Sequence, residues 1–306
     1  MKKALISNFD WLEPNEAVLV LTSMDLSSVP TWLRPYHLLS TGEQYRARMA
    51  YLVSSAKDGE ILLIDEYTSV VDRDVAKAMS YSLQKYIRRM NKKIILASCH
   101  YDILEWLMLD WTYSPEKGGV LERCDYRRQG RPKIELQVSR VESETWNFFK
   151  KHHYLSDKVN KSCKFFLFEY NNKPIGIVAL INQPRNNCSN GFALSRTVVL
   201  PDFQGMGLGV KISEFVCGIV KNSGGVIFTK TINPALGIYR SRSNNWRATS
   251  KNGIVRKDTN TDKSARNRLE RISFCYEYVG ESISGYDELL LPINEMRLKQ
   301  NKNSYV

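Results

Sequence analysis

Several absences narrow what this chain can be. No apolar run approaches the roughly 18 residues that a membrane-crossing helix needs, so no membrane partner is expected. The start, Met1-Lys2-Lys3-Ala4, has no extended apolar region behind it and does not read as a secretion signal. Six cysteines (Cys99, Cys124, Cys163, Cys188, Cys217, Cys275) are scattered with no C-x-x-C pair. That excludes the usual zinc spacing and a disulfide framework, and it suits a reducing, cytoplasmic setting. The phosphate-loop pattern G-x-x-x-x-G-K-[ST] occurs nowhere. Without its amide cradle and lysine, nothing holds the β- and γ-phosphates of a nucleotide, and ATP hydrolysis by this chain alone is not expected.

What is present is enough for two packed domains: 306 residues, of which 43% are hydrophobic. The net charge of +12 is unevenly placed. Residues 1–140 hold 20 Lys/Arg against 18 Asp/Glu, whereas the remainder holds 24 against 14. A basic half-chain suggests a polyanionic partner.

The segment Val198-Val199-Leu200-Pro201-Asp202-Phe203-Gln204-Gly205-Met206-Gly207-Leu208-Gly209 carries the strongest signal. A β-branched run ends in a Pro-Asp turn, and a glycine-punctuated loop opens into an amphipathic stretch over residues 210–220. Such a junction aims backbone N–H groups and the positive end of a helix dipole at one anion. The spacing Gln204-x-x-Gly207-x-Gly209 resembles the acyl-CoA pyrophosphate loop of the GNAT N-acetyltransferases. That resemblance implies acetyl-CoA or a related acyl-CoA as cofactor, held by Gln204, Gly205, Met206, Gly207, Leu208 and Gly209. Val199 and nearby strand amides would polarise the thioester carbonyl. Phe203 and Leu208 also read as packing residues.

The surrounding pattern agrees with this resemblance. A helix is expected over residues 143–153, a hairpin from residues 165–170 and 175–180, a strand over 192–199 and another over 226–230. A helix with Tyr239 follows the last strand. In the family a tyrosine there protonates the departing thiolate, and Tyr239 is the residue assigned that role. The alternative is that it packs the helix against the sheet. The family's Gly-Phe after this helix is replaced by Ser243-Asn244-Asn245-Trp246. His152-His153-Tyr154-Leu155-Ser156 closes the first helix, so Tyr154 joins the candidate site residues. His153 or His152 would take the proton of an incoming amine, cap the helix or bind a metal.

The first half has its own pattern. Leu39-Ser40-Thr41-Gly42-Glu43-Gln44 precedes a helical-period segment at 45–53. Residues 60–64 read as a buried strand ending in Asp65-Glu66, and Ser69-Val70-Val71-Asp72 follows. A helix at 76–90 leads to a second buried strand at 93–97, ending at Ser98-Cys99-His100. Order and spacing resemble the nucleotide-binding domain of ABC-type ATPases. The resemblance implies a signature loop with Ser40, Gly42 and Gln44, a Walker B pair Asp65 and Glu66, a D-loop ending at Asp72, and His100 as switch histidine. Asp65 would then hold Mg²⁺ through water, Glu66 would polarise the attacking water, and His100 would contact the γ-phosphate. With the phosphate loop missing, the lobe is a degenerate scaffold, a half completed by a P-loop-bearing partner chain, or a piece of a longer protein. ATP and Mg²⁺ enter only with such a partner.

The whole arrangement resembles phage and bacterial proteins in which an ABC-type ATPase is fused to an acetyltransferase. The histidine-tyrosine segment more loosely resembles the Mom proteins, which modify adenine in DNA. Basic residues run through the segment after Tyr239. Arg240, Arg242, Arg247 and Lys251, with Trp246 among them to stack a base, suggest contact with nucleic acid, most simply DNA. The expected architecture is α/β. An incomplete ABC ATPase-like lobe (1–118) is followed by a hairpin linker (119–140). A GNAT-fold mixed sheet flanked by helices (141–285) and a C-terminal tail (286–306) complete it. The expected activity is acyl-CoA-dependent acyl transfer to a nucleobase amine. The alternatives are a protein, small-amine or aminoacyl-tRNA acceptor, or a non-enzymatic subunit of a split ATPase.

Overall fold

Helix starts in the first half are set by side chains that satisfy the free N–H groups of the first turn. In the computed structural model, which describes residues 3–124, 132–153, 158–185, 188–256 and 271–293, α1 (Pro14–Ser23) opens with proline in its first turn. A reciprocal Glu13/Glu16 capping box closes that turn. A short α2 (Val29–Leu33) follows. Next, α3 (Thr41–Ser55) starts on the box of Ser40 and Glu43: the Glu43 N–H donates to Ser40 Oγ at 3.3 Å, and the Ser40 N–H to Glu43 Oε2 at 2.9 Å. The amide of Asp74 donates to Asp72 Oδ1 at 3.0 Å to begin α4 (Arg73–Arg89). Arg88 and Arg89 close it where the helix dipole favours cations.

These helices belong to a unit made of Met1–Glu135 and Leu200–Leu208. Strands β1 (Ile61–Ile64) and β2 (Lys93–Leu96) pair in parallel, Leu63 beside Ile95, with α4 as their crossover. After α5 (Leu104–Leu107), β3 (Trp111–Ser114) and β4 (Val120–Arg123) form a hairpin. The core collects Leu21, Met24, Met49, Tyr67, Met79 and Leu83, all fully buried. Arg46 reaches the buried Asp25 carboxylate at 3.0 Å. Burial still lifts the Asp25 carboxyl well above the usual carboxylate range, against the pull of Arg46.

Two expectations are corrected here. Neither β1 nor β2 is a buried strand. Leu62, Ile64, Ile94 and Leu96 pack into the core, while Ile61, Leu63 and Ile95 on the other face stand in solvent. Apolar composition alone cannot tell a strand covered on both faces from one covered on a single face. Nor does the segment after Gly119 pair with the one after Arg131. β4 turns back onto β3, and β5 (Gln137–Val141) joins the second unit. The expected basic tip, residues 127–132, lies almost wholly outside the described residues.

The second unit comprises Leu136–Val199 and Gly209–Val306. Its sheet runs β10-β12-β9-β8-β7-β6-β5, with β11 also paired to β12. The strands are β6 (Lys164–Tyr170), β7 (Lys173–Asn182), β8 (Gly191–Val199), β9 (Val226–Thr231), β10 (Trp246–Ala248), β11 (Ile254–Arg256) and β12 (Arg271–Tyr278). Asn171 and Asn172 turn β6 into β7, both at positive φ (49° and 60°), as a two-residue hairpin loop requires. β7 is the most deeply buried strand, its residues 175–180 fully enclosed. The helix expected over 143–153 is broken into 3-10 turns around α6 (Trp146–Phe149), with Trp146 and Phe149 buried. Helix α7 (Leu208–Asn222) lays Ile212, Val216, Ile219 and Val220 into the core. Helix α8 (Pro234–Arg242) follows β9, its first turn capped by Asn233.

Candidate active site

β8 and β9 are the sheet's parallel pair, and their ladder is short. It joins Gly191–Leu194 to Val226–Thr229 and stops, although β8 continues to Val199 and β9 to Thr231. At the same point the pairing of β8 with β7 shifts. Leu194 faces Leu180 and Arg196 faces Ala179, which leaves Ser195 as the extra residue of a bulge. A bulge bends its strand and re-aims the neighbouring backbone. The strands therefore part after Leu194, five residues before Val199.

Beyond Val199 the chain makes one 3-10 turn (Pro201–Phe203) and the glycine loop, then α7. Gly205 and Gly207 have φ of 78° and 76°, the left-handed region where a Cβ is strained. A Cβ built on Gly207 meets nothing within 4 Å, so that turn of backbone faces open space. Phe203, Met206 and Leu208 are buried, which agrees with packing roles for Phe203 and Leu208.

On α8, Tyr239 does not stand alone. Its hydroxyl donates to Glu214 Oε1 at 3.1 Å, and the same carboxylate accepts Trp246 Nε1 at 2.8 Å and Asn245 Nδ2 at 3.2 Å. Glu214 lies in α7 and is only 7% exposed. Burial, with the Glu214 carboxylate adding to it, lifts the Tyr239 phenol above its ordinary value against an opposing hydrogen bond from Ser243. Burial, aided by Cys217 and Glu214, also pushes the Tyr278 phenol up to about 12. Glu214 was not singled out from the sequence. Its signal was a lone acid in the apolar register of an amphipathic helix, three residues before the buried Cys217.

The basic segment divides. Arg240 is 3% exposed: it donates to Thr229 Oγ1 at 2.9 Å and lies over the Trp246 ring, 4.3 Å from its centre. Trp246 is 6% exposed. The expectation that Arg240 and Trp246 meet nucleic acid is thus corrected, because both are buried: Trp246 is spent on Glu214, and Arg240 on Thr229 and the Trp246 ring. Arg247 pairs with Glu277 at 2.9 Å. Arg242 and Lys251 are exposed. His153 sets its ring edge-on to buried Trp146 at 5.8 Å, and His152 is half-buried beside it. Tyr154 lies outside the described residues. Among the described residues no group of three or more His, Cys, Asp or Glu is placed to hold a metal ion.

In the first unit a polar cluster sits at the ends of β1 and β2. Glu66 and Thr68 both have positive φ (55° and 71°), uncommon for Glu and strained for β-branched Thr. Thr68 Oγ1 lies 3.3 Å from His100 Nδ1 and accepts Arg73 Nη1 at 3.3 Å; Arg73 also pairs with Asp102. Glu66 Oε2 accepts the Ser69 hydroxyl at 2.6 Å, and Asp65 Oδ1 accepts the Glu66 N–H at 2.9 Å. The other expected residues serve the fold: Ser40 and Asp72 cap helices, Gln44 donates to the Leu39 carbonyl at 3.0 Å, and Gly42 packs beside Val70 and Val71.

Among the described residues the second unit is thus an eight-stranded mixed sheet flanked by helices, GNAT-like in arrangement, whose β8–β9 parallel pair parts after Leu194. Residues 101–241 match the model of the Acetyltransferase (GNAT) family. Among solved structures, the ribosomal-protein-S18-alanine N-acetyltransferase from Escherichia coli is 15% identical. The match covers 49% of this chain and 97% of that one at a TM-score of 0.35. A GNAT family acetyltransferase from Elizabethkingia anophelis, with acetyl-CoA bound, is 20% identical over 48% and 99% of the two chains (TM-score 0.36). The IAA acetyltransferase from Bacillus cereus is 16% identical over 47% and 99% (TM-score 0.36). Comparison with curated proteins finds no match.

Proposed function

We propose that this chain is an acyl-CoA-dependent N-acyltransferase. The observation that carries the reading is the parting of β8 and β9 at the Ser195 bulge, on the strand that runs into the Gly205/Gly207 loop and the start of α7. The residues fit acyl-CoA: the loop turns through two left-handed glycines, and the place a Cβ would take at Gly207 is open. Backbone amides there, at the start of a 15-residue helix, suit a pyrophosphate.

When bound, acyl-CoA supplies an activated thioester acyl group. Residues 204–209 would hold its phosphates, and the backbone of residues 195–199 would orient the acyl carbonyl. His153 (or His152) accepts the proton lost by the attacking amine. Tyr239 holds a proton at its Oη for the departing sulfur. Glu214 accepts a hydrogen bond from that hydroxyl and, together with burial, holds the phenol's pKa above its ordinary value.

The acceptor we propose is an exocyclic amine of a nucleobase, the Mom-like reading. Support comes from the basic balance of residues 141–306 and from exposed Arg242 and Lys251. The test is nucleoside mass spectrometry on DNA and tRNA from cells expressing wild type or Gly207→Trp, alongside calorimetric titration of both proteins with acetyl-CoA. A new adduct with wild type alone is expected. Binding of acetyl-CoA without any adduct moves the acceptor to a protein, a small amine or an aminoacyl-tRNA. Loss of both overturns the transferase reading. For the first unit, ATP and Mg²⁺ have a role only if a partner chain brings the phosphate loop to Asp65, Glu66 and His100, and no ATP turnover by this chain alone is expected.

A further inference from the structure

Parallel sheets are covered on both faces in folded proteins, because their crossovers lay helices against them. The β1–β2 pair breaks that rule. Its inner face packs into the core, while its outer face presents Ile61 at 56%, Leu63 at 75% and Ile95 at 37% exposure. Among the described residues each strand pairs only with the other, so each has an open hydrogen-bonding edge. An open apolar edge is a template for another strand.

The open edge of β2 borders a groove of about 930 Å³, lined by Lys93, Ile94 and Ile95 in succession and walled opposite by Met108 and Trp111. Ile61 of β1 and Tyr81, Gln84 and Ile87 of α4 also line it. Lys85, Arg88, Lys92 and Lys93 line it against a single acid, Asp110, which already pairs with Arg88 at 3.4 Å. A second copy of this chain would bring the same cations to the same groove, and like charges oppose that pairing. The occupant must bring acid.

We infer that this groove receives an extended segment of a separate partner chain, apolar in its middle and flanked by Asp or Glu. It adds to β2 as a new strand, whether or not that partner carries a phosphate loop. Main-chain hydrogen bonds to β2 hold the segment, and its side chains meet Ile95 and Trp111 on alternate positions.

The test uses the full chain and two strand-length fluorescent peptides, identical in their valine-rich middle and flanked by glutamates or by lysines. The glutamate-flanked peptide is expected to bind saturably, and the lysine-flanked one at least about tenfold more weakly at low salt. Hydrogen exchange is expected to slow over residues 93–96 on binding. Ile95→Lys and Lys93→Glu should each weaken the acidic peptide by roughly tenfold or more. Lys93 is exposed, so its variant keeps the test open should Ile95→Lys fail to fold. Equal binding of both peptides, binding of neither, or protection elsewhere overturns the inference. So does ultracentrifugation showing a self-dimer that Ile95→Lys dissolves.

Discussion

Glu214 shows what a single buried charge can organise. One carboxylate of α7 gathers a phenol, an amide and an indole from residues 239–246. A phenol beside a carboxylate ionises reluctantly, because the second negative charge would meet the first. Burial first, and the Glu214 carboxylate after it, place the Tyr239 pKa above the ordinary phenol value of 10.0. A general acid must be protonated to act, so its contribution is present below its pKa and lost as pH rises through it. In Glu214→Gln the like charge is removed, and the Tyr239 midpoint should fall toward the ordinary value. The Tyr239 ring-carbon resonance in an NMR titration, assigned by its loss in Tyr239→Phe, reads this directly. An unchanged midpoint would break the proposed link. Tyr239→Phe should lower kcat by roughly ten- to a hundredfold with little change in KM, the pattern of a lost proton donor.

At the scale of elements, the sequence was most legible where local chemistry alone decides. The Asn171-Asn172 hairpin, the β8–loop–α7 junction, the strand at β9 and the order β1–α4–β2 all follow from turn residues and periodicity. What could not be read was pairing at a distance. β4 chose β3, and the outer faces of β1 and β2 stayed bare, since neither outcome is encoded in the strands' own composition. Trp246 and Arg240 misled for a related reason: an aromatic among cations looks like a nucleic-acid surface until a buried acid holds the indole and the arginine turns to Thr229 and the indole face. Ser40 makes the contrast testable. Its position fits a signature loop, but its side chain is the cap of α3. Ser40→Ala should therefore cost about 1 kcal/mol in urea unfolding, with or without nucleotide present. Glu43 sharpens the prediction. Burial works to raise its carboxyl, but the hydrogen bonds from Ser40 and the charges of Arg46 and Arg34 win and hold it below its ordinary value. This stabilisation is fully present above the unfolded value near 4.5 and is lost as pH falls through the lowered one. The difference between wild type and Ser40→Ala should shrink in that acid window, and a gap constant down to low pH would contradict the capping account.

At the scale of the whole molecule, the two units are not two consecutive lengths of chain. The polypeptide leaves the second unit after Val199, contributes Leu200–Leu208 to the first, and resumes the second at Gly209. Those nine residues include the three buried side chains Phe203, Met206 and Leu208. Within the first unit, Gly205 sits so close to Ser82 of α4 that an added Cβ would fall 2.8 Å from its Oγ. A loop whose glycine spacing reads as a cofactor cradle is thus also a packed piece of the first unit. A single cut near residue 135 therefore cannot separate the units without stripping this loop of its surroundings. Full burial of each such side chain contributes roughly 1.5–3 kcal/mol, so losing three is large against the 5–15 kcal/mol that typically holds a domain together. A fragment of residues 136–306 should retain sheet signal by circular dichroism, bind a hydrophobic dye that the intact chain does not, and melt well below it. Co-expression with residues 1–135 should remove the dye binding and restore the melting temperature. A fragment that melts like the intact chain would mean that the loop draws no stability from the first unit, and its burial there would need another explanation.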